Sequence, residues 1–132
     1  MSFERRLHVL FVEDDEDAFS VTTAMLERLG CKVTAETRSL GALRRFSKEP
    51  ELFDLAVLDQ KMADLTGLEL AQRFKRIRPG FPIVLYTAYL EAPSQAERKA
   101  AGIGLVIYKP VTTRQLAEAL RVALDQREKS KP

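Results

Sequence analysis

The sequence predicts an α/β fold: a doubly wound parallel sheet of five strands with helices on both faces. Three observations carry this. Short apolar runs alternate five times with stretches of helical spacing. Most of those runs lack the polar alternation of a half-exposed strand, so they read as buried on both faces. Four of them close on a polar mark: Glu13-Asp14 after Leu7 to Val12, Asp59 after Leu52 to Leu58, Thr87 after Ile83 to Tyr86, and Lys109 after Leu105 to Tyr108. Ligands of such sheets bind at the carboxyl ends of the strands, so these marks are expected to converge on one rim.

The first strand, Leu7 to Val12, leads into a helix whose Ala18, Val21, Thr22, Met25, Leu26 and Leu29 repeat at helical spacing until Gly30 stops it. Lys32 to Thr37 is short and half-polar, which suits an edge strand. Ser39 is expected to cap the second helix, with Leu40, Leu43 and Phe46 on one face and an end before Pro50. The third strand runs to Asp59, and Asp54 at its start reads as a solvated or capping residue. A helix from near Thr66 carries Leu68, Leu70, Ala71, Phe74 and Ile77 and halts at Arg78-Pro79-Gly80. After the fourth strand, Ser94-Gln95-Ala96-Glu97 has the form of a capping box opening a polar helix, expected to be the most mobile, that ends at Gly102. The fifth strand ends at Lys109, and Thr112 to Gln115 is a second capping box, opening the last helix. Five right-handed strand–helix units give one domain over 1–126, followed by a polar, frayed tail over 127–132.

Composition narrows the function. With 45% apolar and 30% charged residues, the 132-residue chain has a globular profile, long enough for a real core. A net charge of +2 and scattered basic residues give no footprint for nucleic acid. No run approaches the length needed to span a bilayer, and no signal peptide is visible. A single cysteine, Cys31, excludes an internal disulfide and reads as a packing residue in a reducing, cytoplasmic compartment.

The rim marks carry the chemistry. Asp15, Glu16 and Asp17 fall in or near a first helical turn, where acids favour the macrodipole. Glu13 and Asp14 come directly at the strand end, and adjacent carboxylates repel unless a divalent cation intervenes; oxygen ligands with room for waters suit Mg2+. The spacing lacks the Gly and distal Glu of an EF-hand loop. Asp59 has no capping task, since the next helix starts several residues later. It is a competent nucleophile for phosphoryl transfer where a metal and a cation neutralise the incoming oxygens. Lys109 can supply that cation, and the Lys109-Pro110 peptide is a candidate cis bond turning the Lys inward. Thr87 offers a hydroxyl to a phosphoryl oxygen.

In order and spacing, Val9 to Asp15, Phe53 to Met62, Leu65 to Leu70, Pro82 to Ala88 and Tyr108-Lys109-Pro110 resemble the receiver domain of two-component response regulators. The resemblance runs from about Leu7 to Leu124, and Asp59-Gln60 through Thr66-Gly67 to Arg78-Pro79 looks most like receivers joined to hybrid sensor histidine kinases. It implies a flavodoxin-like (βα)5 sheet of strand order 2-1-3-4-5. It implies that Asp59 accepts phosphate from a histidine kinase or phosphotransfer protein. Magnesium would be held by Glu13, Asp14, Asp59 and the backbone carbonyl of Lys61, with Thr87 and Lys109 on the phosphoryl group. The output would pass by protein contact to a downstream partner. A homodimer through the face from the fourth to the fifth helix is compatible with this, though no residue argues for it.

There are three departures from the family pattern. Ala63 replaces the usual Pro, which loosens the loop after Asp59. Val106 stands where the switch aromatic is usual, while Tyr108 leaves the sheet on the same face. Lys61 and Tyr89 border the site two residues past Asp59 and Thr87, where they would shield the phosphoryl group from water. Val106 and Ala63 favour a second class, a receiver-like binding adaptor uncoupled from phosphorylation. A third, a magnesium-dependent phosphohydrolase with an Asp nucleophile, needs an acid two residues after the nucleophile, where Lys61 stands.

Overall fold

The computed structural model describes residues 6–130, with side chains to Gln126. Five strands alternate with helices: β1 (His8–Val12), α1 (Glu16–Arg28), β2 (Lys32–Glu36), α2 (Ser39–Lys48), β3 (Leu55–Asp59), α3 (Gly67–Ile77), β4 (Ile83–Thr87), α4 (Gln95–Ala100), β5 (Leu105–Tyr108) and α5 (Thr113–Ser130). A single 3-10 turn, Tyr89–Glu91, follows β4. All pairings are parallel in the order β2-β1-β3-β4-β5, as the resemblance implied. No described helix is long and apolar enough to cross a membrane.

Alternation of side chains across the pleat divides the core into two layers. Leu10, Val12, Ala56, Leu58 and Leu85 face α2 and α3, meeting Phe46, Leu70 and Phe74. Val9, Phe11, Val57, Val84 and Tyr86 face α1 and α5, meeting Leu26, Leu116 and Leu120. β1, β3 and β4 are buried at every position, which is why their sequences are continuous apolar runs. The half-polar β2 lies at one edge and β5 at the other. Cys31 packs beneath α1 at 1% exposure, and burial pushes its thiol up to about 11, which keeps it unreactive.

Capping boxes form at Ser94–Glu97 and Thr112–Gln115, as local spacing indicated. α4 buries none of its residues. Three expectations need correction. Ser39 is not a cap: Arg38 holds that position without a side-chain capping bond, and the Ser39 hydroxyl donates to Ala63 O (2.9 Å) and accepts from Leu65 N (3.0 Å). β3 starts at Leu55, because a turn closed by Leu52 N donating to Glu49 O (3.1 Å) precedes it and Asp54 is tied down: its Oδ2 accepts from His8 N at 2.8 Å. α5 continues helically to Ser130, through positions expected in the tail; residues 131–132 lie outside the described residues.

His8 shows how the sheet edge is closed. Its Nε2 lies 2.6 Å from Thr34 Oγ1, and its ring packs 4.8 Å from Phe53. Burial first, and then the Lys32 ammonium, hold the imidazole below its usual 6.5. A lowered pKa means that the folded state resists protonation, so this stabilisation is present above 6.5 and is lost as the pH falls below it. The stability advantage of wild type over His8→Gln, measured by urea denaturation, is expected to shrink on acidification below that point; a constant difference would contradict it.

Candidate functional site

Strand register brings the four marks together. Val12 pairs with Leu58, Asp59 with Tyr86 and Thr87 with Tyr108, so the residues leaving β1, β3, β4 and β5 share one rim. Glu13 is fully buried, and its N–H donates to Glu36 O at 3.1 Å. Asp14 is exposed, and Asp15 caps α1 by accepting from Asp17 N and Ala18 N, the helix-start role read from the sequence.

Lys109 holds the centre. Its Nζ lies 2.9 Å from Asp59 Oδ1 and 3.0 Å from Glu13 Oε1, and 4.5 Å above the ring of Tyr86. One cation thus neutralises two nearly inaccessible carboxylates, with an aromatic face beneath it. The Lys109-Pro110 peptide is cis. Burial first, and then the neighbouring Glu13 carboxyl, push Asp59 up to about 7, against the pull of Lys109. Burial draws the Lys109 ammonium down, but its bonds to Asp59 and Glu13 outweigh this and hold it above the usual lysine range.

Carboxylate oxygens of Glu13, Asp14 and Asp59 lie within 4.8 Å of one another. An all-oxygen donor set with one exposed member suits a hard, partly hydrated divalent cation such as magnesium. These three side chains and Lys109 line an open groove with Lys61 and Glu91. Thr87 is at the rim but turned away from the groove mouth: it is fully buried, its hydroxyl donates to Ala88 O at 3.3 Å, and its carbonyl accepts from Lys109 N at 2.9 Å.

Sequence reasoning missed two supports. Tyr86 supplies the face under Lys109, and its hydroxyl lies 3.4 Å from Thr22 Oγ1. Gly67, the first residue of α3, lies where a Cβ would come 2.4 Å from Asp59 O and 2.7 Å from Leu85 Cδ1. Its N–H donates to Gln60 O (3.0 Å), and Leu68 N to Gln60 Oε1 (2.9 Å), clamping the helix to the residue after Asp59. The one available signal was the glycine directly inside the capping box that Thr66 and Glu69 form at the start of α3, where a better helix former is usual. The loop at Ala63 lacks a proline but is pinned by Ser39 at residues 63 and 65 and by the Arg38–Asp64 ion pair at 3.7 Å.

The model of the response regulator receiver domain matches residues 9–121. Among curated proteins, ethylene receptor 2 of Arabidopsis thaliana is 36% identical over 95% of this chain, and the transcriptional regulatory protein GlrR of Escherichia coli 27% identical over 90%. The chain spans only 17% and 26% of their respective lengths. A CheY-like response regulator receiver domain protein from Methanospirillum hungatei is similar in structure, with a TM-score of 0.82 at 31% identity, covering 96% of this chain and all of that one.

Proposed function

We propose, on the premise that this chain belongs to the response regulator receiver domain family of two-component phosphorelay signalling, that Asp59 is its phosphoacceptor. The observation that carries the reading is Lys109 bridging Asp59 and the buried Glu13 beside an exposed Asp14. Asp59 would attack the phosphorus of a phosphohistidine: a P–O bond to its carboxylate forms, the P–N bond breaks, and the imidazole leaves with the electron pair. Glu13, Asp14, Asp59 and the Lys61 carbonyl would hold magnesium, which supplies positive charge to the phosphoryl oxygens. Lys109 would exchange its bond with Asp59 for one with a phosphoryl oxygen, and Thr87 would turn its hydroxyl from Ala88 O towards the same group.

The donor would be a histidine kinase or phosphotransfer protein in the cytoplasm. The receiver unit, 1–126, would pass its state on by changing the surface around β4, α4 and β5. Incubation with acetyl phosphate and magnesium should add the mass of one phosphoryl group, and the absence of any gain would overturn the reading. A binding adaptor without switching, read from Val106 and Ala63, keeps only Val106 in its favour where Ser39 and Arg38 pin the Ala63 loop; it would gain the mass yet show no change in partner affinity.

Lys61 and Tyr89 are exposed at the groove and beside it. If they shield the phosphoryl group from water, Lys61→Ala and Tyr89→Ala should each speed its spontaneous loss by on the order of tenfold, about 1.4 kcal/mol of barrier. Unchanged autodephosphorylation rates would remove the shielding role.

A further inference from the structure

We propose that the Lys61–Glu91 ion pair is a latch that a phosphoryl group on Asp59 opens, freeing the Tyr89–Glu91 turn and its ring contact with Tyr108. This rests on the phosphoacceptor reading of Asp59 and adds the device that carries the signal outward.

Lys61 lies two residues past Asp59, and its Nζ is 3.6 Å from Glu91 Oε1. Both residues line the groove that holds Glu13, Asp14, Asp59 and Lys109. The pair therefore ties the β3 end of the site to the turn that follows β4. The same turn has a second tether, the ring of Tyr89 against that of Tyr108 at a centroid distance of 5.2 Å. No residue of the turn is buried, with Tyr89 73% and Leu90 94% exposed. A segment held by so little apolar contact has low local stability, so its position follows its tethers.

The Lys61 side chain is 81% exposed, and ion pairs in that setting are weak. A phosphoryl group brings close to two negative charges and three acceptor oxygens, against one charge on the half-solvated Glu91 carboxylate. Formed at Asp59, it becomes the stronger partner for the Lys61 ammonium, and Glu91 is released. Val106, at the position where the family places its switch aromatic, packs against the Leu58 and Leu85 layer and carries no ring to swing. The aromatic that the site can move in this chain is Tyr108, 39% exposed at the end of β5 and reached through the 89–91 turn.

The chain has three tyrosines and no tryptophan, so fluorotyrosine incorporation gives one fluorine NMR resonance each for Tyr86, Tyr89 and Tyr108, assigned by Tyr→Phe variants. Without phosphate, Glu91→Gln should shift the Tyr89 and Tyr108 resonances; unchanged positions overturn the latch whatever happens at Asp59. With acetyl phosphate and magnesium, the wild-type resonances should move towards the Glu91→Gln positions, while the variant moves no further. Linkage then requires Glu91→Gln to bind beryllofluoride a few-fold more tightly than wild type. A full phosphoryl mass gain with unmoved Tyr89 and Tyr108 overturns the latch and leaves the phosphoacceptor reading standing. Absence of the mass gain overturns that reading and the latch with it.

Discussion

Asp59→Asn is expected to abolish phosphoryl uptake from acetyl phosphate and magnesium while leaving the fold intact. The amide keeps the shape of the side chain and an oxygen that can accept from Lys109, now 2.9 Å away. It removes the negative oxygen that would attack phosphorus and one of the three oxygens proposed to hold magnesium. Asp14 is not expected to take over, because among the described residues no ammonium bridges it as Lys109 bridges Asp59. Mass spectrometry reads the result directly; a phosphoryl gain persisting in the variant would move the acceptor elsewhere.

The same substitution has a signed consequence for stability. Burial beside Glu13 pushes Asp59 up to about 7, above its ordinary 3.8. The folded state therefore binds the proton more tightly than the unfolded chain, and stability is lost as the pH rises from 3.8 towards 7. Asparagine does not ionise. In chelator, the stability of Asp59→Asn relative to wild type should increase across that window and level off above it. A difference that stays flat with pH would mean that Lys109 already neutralises the carboxylate fully.

Gly67→Ala should damage both stability and chemistry. A Cβ there would stand 2.4 Å from the carbonyl oxygen of Asp59, a backbone atom that cannot swing aside. Either α3 must withdraw from the sheet or the end of β3 must move. Overpacking of this kind costs about 1–3 kcal/mol. Because Asp59 itself is displaced, phosphoryl uptake should slow by roughly 100-fold, the effect of a misplacement near 1 Å. Gly41→Ala, inside helix α2, is the control: its Cβ would meet only the carboxylate end of the Glu36 side chain, with Oε2 at 3.0 Å, and no backbone atom. That change should be neutral or stabilising by up to about 1 kcal/mol. Equal losses in the two variants, read by urea denaturation, would refute the close-approach argument.

What could be read without coordinates was governed by periodicity and by the ends of elements. The continuous apolar runs of β1, β3 and β4 announce burial on both faces, and the half-polar β2 announces an edge. The capping boxes at Ser94 and Thr112 join residues three apart, so the signal is complete within one short window. Where a residue combined a local preference with a distant partner, the local reading lost. Ser39 is an ordinary helix-start residue by type, yet its hydroxyl serves the backbone at Ala63 and Leu65. Asp54 reads as solvated or capping from its neighbours alone, yet it receives His8 N from the head of another strand.

By itself the chain order determined the alternation of strands and helices and the polar residue that ends each central strand. Parallel winding then obliges those ends to meet on one side of the sheet. Only the tertiary structure decided how the gathered groups engage: Lys109 between Glu13 and Asp59 over Tyr86, Gly67 against the Asp59 carbonyl, and Lys61 across the groove to Glu91. The reason is one of range. Backbone periodicity is set by neighbours a few residues away, whereas these contacts depend on register and side-chain direction between segments that meet only after the sheet has formed.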